Sequence, residues 1–219
     1  MGNRREVAIG LGCYGAYLAV RRAVMTDDGR ARAMENAARV VRLEQRLHID
    51  IEPAVQTAAA RHHRMIQAVN LGYGAGNVMM SVGWLILLHR DRSVRFGPER
   101  RAAVAAFMGA LPVFWAFPTA PPRHRDEYTD TLLDGGVDLD HPLLVRLYNP
   151  IAAMPSHHVA FAVVTGFGRA AGSRTGLGRN AWRCYPLGVT GAVLATGNHF
   201  LLDAVAGALL GALARTVTR

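Results

Sequence analysis

The chain has 219 residues, 51% of them hydrophobic and 19% charged, and its 25 cations against 16 anions give a formal net charge of +9. That composition excludes a disordered, collagen-like or low-complexity protein. Two cysteines, Cys13 and Cys184, exclude a disulfide framework or a four-thiolate zinc site.

Every cation is an arginine, and a mean hydropathy of +0.12 hides a separation of charged from apolar stretches. The first apolar run, Val7–Val20, holds 14 residues without a formal charge and follows Arg4 and Arg5. Arg21 and Arg22 come next instead of a small-x-small cleavage site, so the run is expected to be a retained first helix. Between Asp28 and Ile51 the pattern changes. Val40, Leu43, Leu47 and Ile51 recur at steps of three and four, and Glu35, Arg39, Arg42 and Arg46 share an adjacent face. Such a helix can lie in the headgroup plane with its arginines on lipid phosphates, or cover a soluble domain.

Four longer blocks follow. Met65–Leu88 has 24 residues without a charge, Ala102–Pro122 has 21, Leu147–Gly168 has 22 and Cys184–Leu202 has 19. After Asp203 come 11 more, Ala204–Ala214. A bilayer core needs about 20 apolar residues per helix. The expectation is an all-α polytopic membrane bundle of about six transmembrane helices, with an amphipathic interfacial helix after the first. Residues 1–64 would supply the first and interfacial helices, and 65–219 the catalytic membrane core. A soluble bundle is the alternative, but soluble helices seldom run so long without a polar stripe.

Arginines set the orientation. The linkers 89–101 and 169–183 carry five and four arginines, whereas 123–146 carries six acids against three arginines. The positive-inside rule puts the first two linkers in the cytoplasm and the acidic loop outside. Three remote stretches then reach the same outer leaflet: the region near Arg123, the start at Ser156–His158, and the junction at His199. The arginines cluster at span ends, so orientation explains the net charge better than nucleic acid does.

Polar groups at membrane depth are expensive and usually functional. Pro155 and Ser156 read as helix-start residues, and the free N–H groups of such a start favour an anion that a histidine of the first turn can reach. His199 and Asp203 are four apart and on a helix would share a face. The carboxylate would fix the imidazole tautomer and leave the other nitrogen as nucleophile or base, or it would simply satisfy a buried histidine. Arg123 ends a proline-rich exit, Ala120-Pro121-Pro122-Arg123, where its fork suits phosphate or anchors the interface.

Together, Pro155-Ser156-x-His158 and His199-x-x-x-Asp203 followed by Gly207 resemble two motifs of the type 2 phosphatidic acid phosphatase superfamily. Ala120–Arg123, Ala195-Thr196-Gly197-Asn198-His199, and Arg42-Leu43-Glu44 with Asp50-x-Glu52-Pro53 resemble its inositol phosphorylceramide synthase-like branch. The resemblance implies phosphoryl transfer from a lipid phosphate, isoprenoid or glycerolipid, at the outer face of a bacterial plasma membrane. His199 would be the nucleophile, Asp203 its orienting carboxylate and His158 the general acid and base. Arg123, Ser156, Gly197 and Asn198 would hold the phosphoryl oxygens, with no metal or cofactor required. Water as acceptor makes a phosphatase; an alcohol such as inositol makes a headgroup transferase. A metal-binding membrane protein using His157, His158, His199 and Asp203 is the reading from another class.

The sequence also departs from the family pattern. Ala192 and Val193 stand where many members carry Ser-Arg, and the first family motif, a lysine with a downstream Arg-Pro, is not intact. Asn77 stands where relatives usually have a histidine, and His157 where they have an apolar residue.

Overall fold

A computed structural model describes residues 2–71 and 76–218. Among the described residues the regular elements are helices, with one isolated parallel bridge between Thr119 and Ala152. The order is α1 (Asn3–Val24), α2 (Asp27–Leu47), α3 (Glu52–Ala60), α4 (His63–Leu71), α5 (Asn77–Arg90) and α6 (Phe96–Ala116). A long connection follows, holding a 3-10 turn (Pro122–His124) and two single-turn helices, α7 (Thr131–Asp134) and α8 (Pro142–Val145). The chain closes with α9 (His157–Ala171), α10 (Gly176–Ala195) and α11 (Leu201–Val217).

The all-helical class is as expected, but the charge-free blocks do not map onto helices one for one. In the block 147–168 the helix begins only at His157, because Ser156 caps it and Pro155 lies outside it. The block 184–202 is split between α10 and α11 by residues 196–200. The block 65–88 includes residues 72–75, which lie outside the described residues. Helix α6 reaches 21 residues and α10 reaches 20, but α6 contains Glu99, Arg100 and Arg101, and α10 contains Arg179 and Arg183. Among the described residues α1 alone combines the length and apolarity to cross a bilayer.

Helix α9 is the hub, packed against α5, α6, α10 and α11. Its inner residues are small or β-branched, with Ala160, Ala162 and Val164 buried. Helix α11 comes close enough for backbone contact. A Cβ on Gly207 would lie 2.3 Å from the Ser156 carbonyl oxygen, and one on Gly211 would lie 2.6 Å from that of Ala160. Small residues that let helices approach this closely are the usual means of association inside bilayers.

The two ends of the bundle differ. At one end Arg215 bonds Glu99 at 2.7 Å, and Arg100 bonds Glu6 of α1 at 2.6 Å. At the other end α2 packs on the long connection: Ala120 N donates to Ala33 O at 3.1 Å and Asn36 Nδ2 to Pro118 O at 2.8 Å. The face α2 buries is Ala33, Asn36, Ala37, Val40 and Glu44. Of the apolar stripe read from the sequence, Val40 is buried, but Leu43, Leu47 and Ile51 face outward. The small alanine side chains allow close packing against the bundle, while the larger leucines point away from it.

The Gly207 contact makes a prediction. Gly207→Ala drives a methyl into a backbone carbonyl, an overpacking cost of about 2 kcal/mol that lowers the unfolding midpoint by roughly 4–8 °C. Gly188→Ala, at an exposed helical position with nothing within 4 Å, leaves it unchanged or raises it slightly. Thermal unfolding of the purified full chain checks both.

Candidate active site

The amino ends of α9 and α11 meet. Ser156 caps α9 by accepting from Val159 N at 3.3 Å, and its own N–H donates to the Asp203 carbonyl at 2.9 Å. That backbone bond fixes the turn bearing His158 against the turn bearing His199. At the far side, α10 ends in a turn that needs Gly197 at φ +67, a conformation favouring glycine. The N–H groups of Gly197, Asn198 and His199 then fold back to carbonyls of Leu194 and Val193.

His199 is buried at 5% exposure, and its Nε2 lies 3.5 Å from His158 Nδ1. Its other nitrogen, Nδ1, lies 3.6 Å from Asp203 Oδ2. That distance is an ion-pair contact once the ring is protonated, and is longer than a hydrogen bond. The two do not meet as neighbours on a helical face, as the spacing suggests. Helix α11 starts at Leu201, so His199 lies outside it, and Asp203 folds back to accept from Phe200 N at 2.9 Å. The same carboxylate thus caps the helix and faces the imidazole.

Arg123 is the cation brought to this cluster, and its N–H donates to the Gly197 carbonyl at 2.8 Å. Its Nη1 donates to Asn198 Oδ1 at 2.7 Å, its Nη2 to the Tyr148 hydroxyl at 3.3 Å, and its Nε lies 3.5 Å from Asp130. Burial pushes the Tyr148 phenol up to about 12, so it stays protonated and donates in turn to the Leu139 carbonyl at 2.8 Å. Asn198 is pinned from the other side, donating to Thr196 Oγ1 at 2.8 Å. The structure therefore brings Arg123, Ser156, His158, Gly197, Asn198, His199 and Asp203 to one end of the bundle. In this arrangement Ser156 and Gly197 shape backbone turns, and Asn198 aims the guanidinium.

His157 is turned away from the pair. Its ring stacks on Phe107 at 4.9 Å between centroids and meets Phe114 edge-on at 4.8 Å, and its Nε2 donates to the Phe107 carbonyl at 3.1 Å. It is an aromatic packing residue. Among the described residues no group of three or more His, Cys, Asp or Glu side chains is placed to hold a metal ion.

A sequence model of the PAP2 superfamily matches residues 38–217. The chain belongs to that superfamily. No curated protein and no solved structure matches it. PAP2 membership places it among enzymes acting on phosphoric esters, consistent with a phosphatase or phosphotransferase.

Several residues around the PAP2 site carried no assigned role in the sequence reading. Asn77 donates from Nδ2 to the His158 carbonyl at 2.9 Å and accepts from Tyr185 at 2.7 Å, fixing the backbone of one histidine. Gln56 of α3 bonds Thr129 both ways, at 3.0 and 3.2 Å. Glu44 and Glu52, both fully buried, accept from the N–H groups of Leu202 and Leu201. The available signal was a glutamate at position 44, in step with Ala33, Ala37 and Val40 on the small-residue face of an otherwise amphipathic helix.

Removing the Asn198 acceptor strands a buried guanidinium donor, a cost of about 1–3 kcal/mol. Asn198→Ala is expected to reduce kcat/KM on a phosphate ester by roughly 10- to 100-fold. Steady-state kinetics measures this, and a wild-type value would show that the Asn198 contact does not aim Arg123.

Proposed function

We propose that this PAP2 protein is an integral membrane lipid phosphatase or phosphotransferase that works through a phosphohistidine on His199. The opposition of His199 Nε2 and His158 Nδ1 at 3.5 Å, with a buried carboxylate on the far side of the His199 ring, carries the reading. In the first step Nε2 of His199 attacks the phosphorus as the bond to the lipid oxygen breaks. His158 gives its proton to the departing alkoxide. In the second step His158 takes a proton from water or an alcohol, whose oxygen attacks the phosphorus and releases His199. Asp203 stabilises the positive charge that His199 acquires, and Arg123 faces the charge developing on the phosphoryl oxygens. Asn198 and Gly197 hold Arg123 in place, and Ser156 sets the turn before His158.

Membrane residence is supported by the outer surfaces of the helices. Exposed apolar side chains line α1 (Val7, Leu11), α5 (Met79, Ile86), α6 (Trp115), α10 (Leu187) and α11 (Leu209, Leu213). A soluble monomer rarely exposes so much apolar surface. The outward Leu43, Leu47 and Ile51, with exposed Arg39, Arg42 and Arg46, suit α2 to the headgroup layer on the site's side of the bilayer. Arginines concentrate over 89–101 and 169–183, the facing helix ends and short connections of α5–α6 and α9–α10, so the positive-inside rule turns the site outward. An isoprenoid or glycerolipid phosphate is the substrate class. Transfer to an alcohol such as inositol, as in the synthase-like branch, uses the same residues, and adding the alcohol to the assay distinguishes it from hydrolysis.

Purified protein incubated with phosphorus-labelled lipid phosphates is expected to form an acid-labile, alkali-stable phosphoenzyme. His199→Ala abolishes the phosphoenzyme and lowers turnover by on the order of 10⁴-fold or more. His158→Ala costs on the order of 10²–10⁴-fold, and less with a leaving group that needs no proton. Activity that vanishes with a chelator, or a His199→Ala variant that still turns over, would overturn the reading.

A further inference from the structure

Three carboxyl groups converge on the first turn of α11, and the mechanism uses only one of them. Glu52 Oε1 accepts from Leu201 N at 2.5 Å and Glu44 Oε1 from Leu202 N at 2.7 Å, beside the Asp203 cap on Phe200 N. All three residues are fully buried, and Oε2 of Glu44, Oε2 of Glu52 and Oδ1 of Asp203 find no donor. Among the described residues no ion pair involves Glu44 or Glu52. The groups that face them are each other, Asp203 from α11, and the phenol of Tyr128 from the long connection. Asp203 has His199 beside it, but Glu44 and Glu52 have no cation, and two further buried negative charges at one turn are costly enough that a proton is held there.

Because Glu52 and Glu44 take the N–H groups of two consecutive residues, Leu201 and Leu202, their carboxyls are held side by side at one turn. Burial, with the carboxylates of Glu52 and Asp203 nearby, pushes Glu44 up to about 8, and burial raises Glu52 as well. The bond between them raises Glu44 and lowers Glu52, which puts the proton on Glu44. Tyr128, pushed up to about 12 by burial, stays neutral.

We infer that Glu44 and Glu52 share one proton as a positioning pair, through which α2 and α3 hold the amino end of α11, and with it His199 and Asp203, in the attacking geometry. The inference rests on His199 as the nucleophile. Its chemistry is simple: the carboxyl of Glu44 donates O–H to Glu52, and the remaining oxygens of the pair accept from the helix. Loss of that proton sets two carboxylates beside Asp203 and loosens the turn on which His199 sits.

The sign follows from linkage. A carboxyl raised in the folded protein contributes its full stability below the free value of 4.5, loses it as pH rises to about 8, and loses no more beyond. Glu44→Gln keeps the acceptor and an N–H that cannot titrate. The test compares wild type, Glu44→Gln, Glu44→Ala and, as control, Glu35→Gln at an exposed position of the same helix. Each full-length protein is assayed on a lipid phosphate for kcat and KM across pH, and its unfolding midpoint is followed over the same range. Glu44→Ala is expected to lower kcat about tenfold or more with KM within about twofold. Glu44→Gln restores most of kcat at neutral pH and, unlike wild type, keeps it above pH of about 8. Its midpoint lacks the decline that wild type and Glu35→Gln show between pH of about 5 and 8. Glu44→Ala with wild-type kcat, or Glu44→Gln with the wild-type pH dependence of both rate and midpoint, overturns the inference. If no lipid phosphate is turned over by the wild type, the phosphohistidine reading fails instead, and the melting series alone decides the proton pair.

Discussion

The backbone bond from Ser156 to the carbonyl of Asp203 joins two turns that are more than forty residues apart, and the placement of the candidate site depends on it. It forms because α9 and α11 touch through their backbones, and that contact needs positions 207 and 211 to have no side chain. Every other group of the site is referred to this joint. His158 leaves it in one direction as the first turn of α9, and His199 faces it from just before α11. Arg123 is tied to the same region through the carbonyl of Gly197 and the amide of Asn198. A packing requirement thereby becomes a chemical one, since the distance between the imidazoles is set by how closely two helices approach.

The polar residues of the site contribute mainly by fixing one another. Asn77 holds the carbonyl of His158, Thr196 holds Asn198, Asn198 holds Arg123, and Tyr148 ties the guanidinium to the acidic connection. Such a network limits the rotamers available to each member and so keeps the site's geometry. The family model spans the two histidines and the aspartate. The surrounding contacts are this chain's own means of placing them.

Much of this was legible in the sequence because it depends on local pattern. The separation of charge marks the helices, Ser156 announces a cap, and the motifs around His158 and His199 are ordered and distinctive. What could not be read is what depends on three-dimensional closure. The spacing of His199 and Asp203 suggested a shared helical face, yet capping moves the helix start past the histidine and brings the pair together by another route. Blocks without charge suggested unbroken spans, but absence of charge does not say where a Ser cap or a glycine at positive φ will end a helix. The histidine at 157 stands where relatives have an apolar residue, and only its aromatic partners from α6 show that it packs like one. Glu44 stood in plain sight on the small face of α2, and only the position of α11 above it shows what a carboxyl would do there.

The two helix ends that meet at the site are electrically unequal. The first turn of α11 spends its N–H groups on three acidic side chains, whereas the first turn of α9 is closed by an uncharged hydroxyl. Whatever attraction the peptide dipoles exert on an incoming anion is cancelled on one side and preserved on the other. His199 therefore sits on the screened side, and His158 on the side that keeps its dipole. The pull on an anion at this end of the bundle is lopsided, stronger beside the imidazole of His158 than beside that of His199.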